Sequence, residues 1–296
     1  MEKLEYLEHY QKLYASLTDS IDELRRYELT NRIELRAIIT AAFVKCFDFN
    51  HYNAFNDDHA TSFFRMSSLR SICEDLISIK YLLKINVKER NTHLRYLTNF
   101  YLHKSIVVQQ NFLQKFNPGQ IIPDAEKLLG AEKVKFVEEK SFNKNKARQS
   151  GHYDLPSAAQ MAIETGYKEL YDYLYFATSS VVHFRTDVLL KMGWGDLDKS
   201  QKLSEITFSY KHYHRYYLAF NTFYGMYLLS EQAMLLRKYL RLDKKFMSEI
   251  YDWRNKTKDS DWPEIVTFDH LNIEGPSNLI RIMHRIRTKN NLYDSN

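Results

Sequence analysis

The chain has 296 residues, enough to bury a substantial core, and its 8 Gly and 5 Pro are too few for a fold made of turns and short strands. Hydrophobic residues at 44% and charged residues at 27% are an ordinary soluble balance, and a formal net charge of +5 suits a polyanionic partner without demanding one. Two cysteines, Cys46 and Cys73, both in apolar helical contexts, exclude a disulfide framework and a cysteine-based zinc site.

The opening "MEKLEYLEHYQKLY" is charged from its second residue and holds no apolar signal core, so a cytoplasmic protein is expected. Leu4, Leu7, Leu13, Leu17, Ile21 and Leu24 form one stripe at helical spacing. "NRIELRAIITAAFVKCF" (Asn31 to Phe47) starts on a cap residue with Glu34 three positions on, and the polar stretch Asp48 to Ser62 reads as a loop. Helices are predicted over about 62–83 and 88–116, the second stopped by Asn117-Pro118-Gly119, and a shorter one over about 124–139. A polar, basic stretch (Ser141 to Asp154) comes next, then a short helix opened by Pro156. A longer helix from Tyr167 to Lys191 ends at Gly193-Trp194-Gly195.

Ser204 to Leu240 reads as one very long helix or a kinked pair. Its most apolar stretch, "YYLAFNTFYGMYLLS", is too short to span a bilayer and reads as a buried helix, so no membrane is expected. The tail carries "DKKFMSEIYDWRNK", a break at Trp262-Pro263 and a last helix opened by Pro276. The expectation is an all-α protein. One large helical bundle with peripheral N- and C-terminal helices fills 1–296, without a sheet of three or more strands.

No Gly-rich phosphate loop, Gly-x-Ser-x-Gly elbow or His-Glu-x-x-His helix occurs. The histidines are scattered, and the imidazoles of "HYH" (His212 to His214) point in different directions on a helix, so neither a metal nor a cofactor is expected. Two segments stand out. In "SSLRSICEDLISIKYLL" (Ser67 to Leu83), Arg70 and Glu74 stand four apart on one face, as in a helix-surface ion pair. In "YDYLYFATSSVVHFRTDVLLKMGWG" (Tyr171 to Gly195), Tyr175, Ser179 and His183 are each four apart, and Ser180 is three from His183. A Ser–His contact suggests nucleophilic catalysis, but two residues one turn apart on a regular helix seldom leave the nucleophile exposed with an oxyanion hole beside it. A histidine that only packs helices is the competing reading. Val181 and Val182 are expected to face the core.

These residues resemble a bacterial helical family catalogued as domain of unknown function 5677, whose members carry an Arg-x-x-x-Glu helix and, about a hundred residues on, a Tyr-rich helix ending in Ser-Ser-x-Val-His. The match spans about 61–195, leaving N-terminal helices at 1–60 and a long aromatic helix with C-terminal helices at 196–296. The resemblance singles out Arg70, Glu74, Tyr175, Ser179, Ser180 and His183, and it implies that their two helices pack together. Glu74 or Arg70 would then lie within hydrogen-bonding reach of His183, Ser179 or Tyr175. It supplies no reaction.

A looser analogy is to HEPN-type helical ribonucleases, which carry Arg-x(4–6)-His and usually dimerise. Here Arg148 and His152 have three residues between them, Arg281 and His284 have two, and Arg185 follows His183. Metal-free RNA cleavage needs a base, an acid and a cation for the phosphate, which His183, Glu74 and Arg185 could supply. Two basic stretches suit a polyanion: "NKNKAR" (Asn143 to Arg148), and the amphipathic "LIRIMHRIRTK" (Leu279 to Lys289) with Arg281 and Arg285. The expected function is therefore an intracellular bacterial defence or stress protein that binds RNA or nucleotides, with metal-independent cleavage of RNA left open. A homodimer is open. The alternatives are a non-enzymatic module for a protein partner and a small-molecule sensor.

Overall fold

The computed structural model describes residues 2–26, 34–56, 61–121, 124–142, 156–197 and 203–265. Within them run α1 (Glu2–Arg25), α2 (Glu34–Phe55), α3 (Ser62–Lys84), α4 (Val87–Phe116), α5 (Ala125–Leu129), α6 (Ala131–Phe142), α7 (Ala158–Thr165) and α8 (Lys168–Val182). After these come α9 (Thr186–Lys191), the strands β1 (Gly193–Leu197) and β2 (Leu203–Phe208), then α10 (His214–Leu240) and α11 (Lys244–Thr257). The protein is predominantly all-α, and the two antiparallel strands form the sole sheet among the described residues.

Local chemistry sets many of the helix ends. The Asn86 side chain accepts from the Glu89 amide while its own amide donates to the Glu89 carboxylate, a reciprocal cap for α4. Asp124, Ser157 and Asp243 cap α5, α7 and α11 by accepting from the amides of Glu126, Gln160 and Phe246. Gly166, at φ +75, closes α7 in the left-handed conformation that costs glycine little.

The core is built around α10, which is buried on nearly every side between α2 and α3. Polar groups pin this packing. Asn221 Nδ2 donates to Ser62 O at 2.7 Å, and Asn50 Nδ2 donates to both Cys46 O and Gly225 O. Leu13, Leu17 and Ile21 of α1 are buried in this core, as their spacing predicts, together with Phe246, Ile250 and Trp253 of α11. A second, small cluster of Ile106, Ala125, Leu129 and Val134 joins α4 to α5 and α6.

Five expectations are corrected. The polar stretch after Asp48 is not a loop at its start: α2 continues to Phe55, because Asn50 and Asn53 turn their side-chain amides onto carbonyls one turn back. The helix expected over 124–139 is two, parted at Gly130 with φ +85. The helix expected from Tyr167 to Lys191 breaks at His183, whose backbone is extended (φ −109, ψ 157). The bend turns Val188 into the core while Val182 is left 52% exposed, against the core-facing position expected for it. The helix expected from Ser204 begins only at His214. Its first residues pair instead as β2 with β1, and Trp194 of that hairpin packs tilted on His212 and edge-on to Tyr213. The basic stretch 143–148 and the 279–289 segment with Arg281 and Arg285 lie outside the described residues.

Candidate functional site

The α3 and α8 helices pack together, as the resemblance implies. Two cation–ring contacts set their register: Lys80 Nζ lies 4.0 Å from the Tyr167 ring centroid, and the Arg70 guanidinium lies 4.3 Å from that of Tyr175. A rising α8 number therefore meets a falling α3 number, so the helices are antiparallel. Arg70 also donates from Nε to Glu74 Oε1 at 2.9 Å. Arg70, Glu74 and Tyr175 thus form one partly exposed cluster on the bundle surface, beside the buried Tyr171, whose ring centroid lies 5.5 Å from that of Tyr175. Its electrostatics are consistent with this placement. Glu74 holds the Arg70 guanidinium still more firmly charged than usual, and burial, then the nearby Glu74 carboxylate, raises the Tyr171 phenol.

His183 is elsewhere. In the register of α3 and α8, Glu74 sits across from Tyr171, twelve residues before His183, a separation of about 18 Å along the axis. His183 caps the end of α8 with its amide bonded to Ser179 O at 2.9 Å, and its side chain is exposed. Beside it Phe184 is 83% exposed. Arg185 donates from Nε and Nη2 to the two Asp187 carboxylate oxygens at 3.0 and 2.9 Å, and its guanidinium lies 4.8 Å from the centroid of the exposed Phe176 ring. The Ser179 hydroxyl oxygen is sealed from solvent and has no hydrogen-bond partner among the described residues. It cannot act as an exposed nucleophile in this arrangement. The side chain of Ser180 lies outside the described residues.

The structure therefore divides the expected site in two. Arg70, Glu74 and Tyr175 come together, and His183 and Arg185 share the end of α8. The expected hydrogen bond from Arg70 to Tyr175 is instead a guanidinium stacked on a ring. Phe176 and Phe184 were missed from the sequence as site residues. Phe176 has a legible signal: it stands next to Tyr175 and lies off the buried stripe of Tyr171, Leu174 and Thr178. No group of three or more His, Cys, Asp or Glu that could hold a metal ion occurs among the described residues.

This is the surface of a predominantly helical protein that carries stacked arginines on exposed rings. The model of a family described as "Family of unknown function (DUF5677)" matches residues 65–201, in agreement with the resemblance read over about 61–195. That span takes in both halves of the site, from Arg70 to Arg185. Neither the curated proteins nor the solved structures contain a match to the chain. No helix among the described residues is long and apolar enough to cross a membrane.

Proposed function

We propose that the end of α8 binds RNA or nucleotides, with a base stacked on Phe184 or Phe176 and a phosphate met by His183 and Arg185. The observation that carries this reading is the ring–guanidinium pair of Phe176 and Arg185 beside the 83%-exposed Phe184. Exposed rings next to cations are the elements from which sequence-tolerant recognition of bases and phosphates is built. A phosphate would compete with Asp187, which is itself partly exposed, for the guanidinium edge.

Binding is a better fit than cleavage. The ribonuclease left open by the sequence needs Glu74, His183 and Arg185 around one phosphodiester, and Glu74 belongs to the other half of the site. Titration of the wild type with a mononucleotide, followed by tyrosine and label fluorescence, tests the proposal. Phe184→Ala is expected to weaken binding roughly 5- to 100-fold, the range for loss of one stacked base. His183→Ala is expected to weaken it too, with thermal stability nearly unchanged, since an exposed side chain away from packing contributes within about 0.5 kcal/mol. A wild type that binds no nucleotide, or a Phe184→Ala variant that binds as well, overturns the reading.

A further inference from the structure

The last four turns of α4 carry a feature that the site on α8 does not use. Tyr101, Val108, Phe112 and Phe116 point to one side of the helix and are each between 57% and 65% exposed. Lys104 and Lys115, both exposed, sit between them on that same side. The row spans sixteen residues, a rise of about 22 Å. The Phe112 and Phe116 rings lie 4.7 Å apart, and Lys115 Nζ is 5.4 Å from the Phe116 ring centroid. The opposite side of the helix is the one that packs: Ile106 joins Ala125 and Leu129 of α5 and Val134 of α6.

Charge narrows what this face can meet. From Arg90 to Pro123 the chain has no Asp or Glu, while it has Arg90, Arg95, Lys104 and Lys115. Of the flanking acids, Glu89 is held at the start of α4 by Asn86, and Asp124 caps α5 on the packed side. A second copy of the chain laid along the face would bring lysine to lysine. In an antiparallel pairing centred on Val108, Lys104 comes within one turn of the other copy's Lys115. In a parallel pairing, Lys104 meets Lys104. Neither pairing offers an acid to neutralise them, so self-association is disfavoured. A polyanion with flat apolar groups satisfies both halves of the face: bases stack on the rings and phosphates meet the lysines.

We infer that the Tyr101–Phe116 face of α4 is a track for single-stranded nucleic acid, separate from the nucleotide site proposed at the end of α8. Fluorescence anisotropy with labelled oligouridylates of increasing length tests it. Affinity is expected to rise with length beyond the mononucleotide. The paired change Tyr101→Ala with Phe112→Ala should lower oligonucleotide affinity about tenfold or more. Lys104→Gln with Lys115→Gln should flatten the dependence of log affinity on log salt by about 0.7 for each phosphate no longer neutralised. Both pairs should leave mononucleotide binding intact, so failure of the α8 reading (Phe184→Ala without effect on a mononucleotide) is separable from failure here. These side chains are exposed, and an unchanged circular dichroism melt confirms that the variants fold. Oligonucleotides that bind no tighter than a mononucleotide, or α4 variants that bind like wild type, overturn the inference. So does sedimentation showing a wild-type dimer that Tyr101→Ala with Phe112→Ala splits into monomers, which would give the face to a second copy.

Discussion

A buried hydroxyl without a partner is a small debit in any fold, and Ser179 carries one at the edge of the proposed site. Its oxygen has lost water and gained no donor or acceptor among the described residues. Ser179→Ala should therefore be neutral or stabilising by up to about 1 kcal/mol in urea unfolding and leave nucleotide binding unchanged. A loss of more than that would mean that the hydroxyl is bonded in solution. Gly225 presents the reverse case. A Cβ built there would sit 2.5 Å from Asn50 Oδ1 and 2.9 Å from a ring carbon of Phe49. Asn50 cannot swing aside without giving up its bonds to Cys46 O and Gly225 O. Gly225→Ala should cost about 1–3 kcal/mol, seen as a lower urea midpoint with an unchanged slope. The glycine is there so that α2 and α10 can approach closely.

Among the elements, the helical hairpin of α4 with α5 and α6 differs most from the rest. It is joined internally by the four-residue cluster around Ile106, whereas α10 is enclosed by the main core. Local opening follows the apolar packing that must be broken. Native-state hydrogen exchange should show amides of α5, α6 and the second half of α4 exchanging well before those of α10, at denaturant concentrations too low to unfold the molecule. Uniform protection across α4 and α10 would contradict this. An independently opening hairpin also suits a binding track, since a helix that shares little of the core can adjust to a flexible strand. The break at His183 is the other element-level feature that matters. By ending α8 at Val182, it leaves His183, Phe184 and Arg185 as the link between α8 and α9 and presents them together.

At the scale of the whole molecule, the core holds ionisable groups that it keeps neutral. Burial raises the Cys73 thiol to about 12 from an ordinary 9.0, and it raises Cys46 further. The phenols of Tyr167, Tyr216, Tyr217 and Tyr224 are also raised from 10.0, chiefly by burial. The sign follows directly. Above about pH 9 the unfolded chain sheds these protons while the folded chain keeps them, so the unfolded state binds fewer protons and the free energy of unfolding falls. The contribution is complete below pH 9 and is lost progressively from there toward pH 12. Thermal melts should be flat in this respect from neutral pH to about 9 and then drop steeply. Both thiols should stay unreactive toward a disulfide reagent at pH 8 until the protein is unfolded. A melting temperature that holds level to pH 11 would show that these groups are not buried as described.

Composition and periodicity alone determined that the protein is helical, because few glycines and prolines and a continuous 3.6-residue pattern leave no room for an extensive sheet. Periodicity also placed α3 and α4 to within a residue or so, and Asn117-Pro118-Gly119 marked the end of α4 because it is a local signal that acts through the backbone next to it. The pairing of the Arg70 helix with the Tyr175 helix was legible as a resemblance in short motifs. What only the tertiary structure decided lies where local pattern and packing disagree. Asn50 and Asn53 read as loop residues, yet α2 runs through them because α10 supplies a carbonyl for Asn50 and Arg65 donates to Asn53 Oδ1. Ser204 to Phe208 fits a helical pattern, yet it pairs as a strand because Gly193-Trp194-Gly195 offers an edge and Trp194 finds His212 to pack on. No glycine or proline announces the break at His183; it follows from burying Val188. A helical wheel could place Ser179 and His183 near one another, with Arg185 on a different side. It could not say that the hydroxyl is sealed, that the imidazole is in water or that Glu74 is three turns away, because those depend on which face of α8 the rest of the bundle covers.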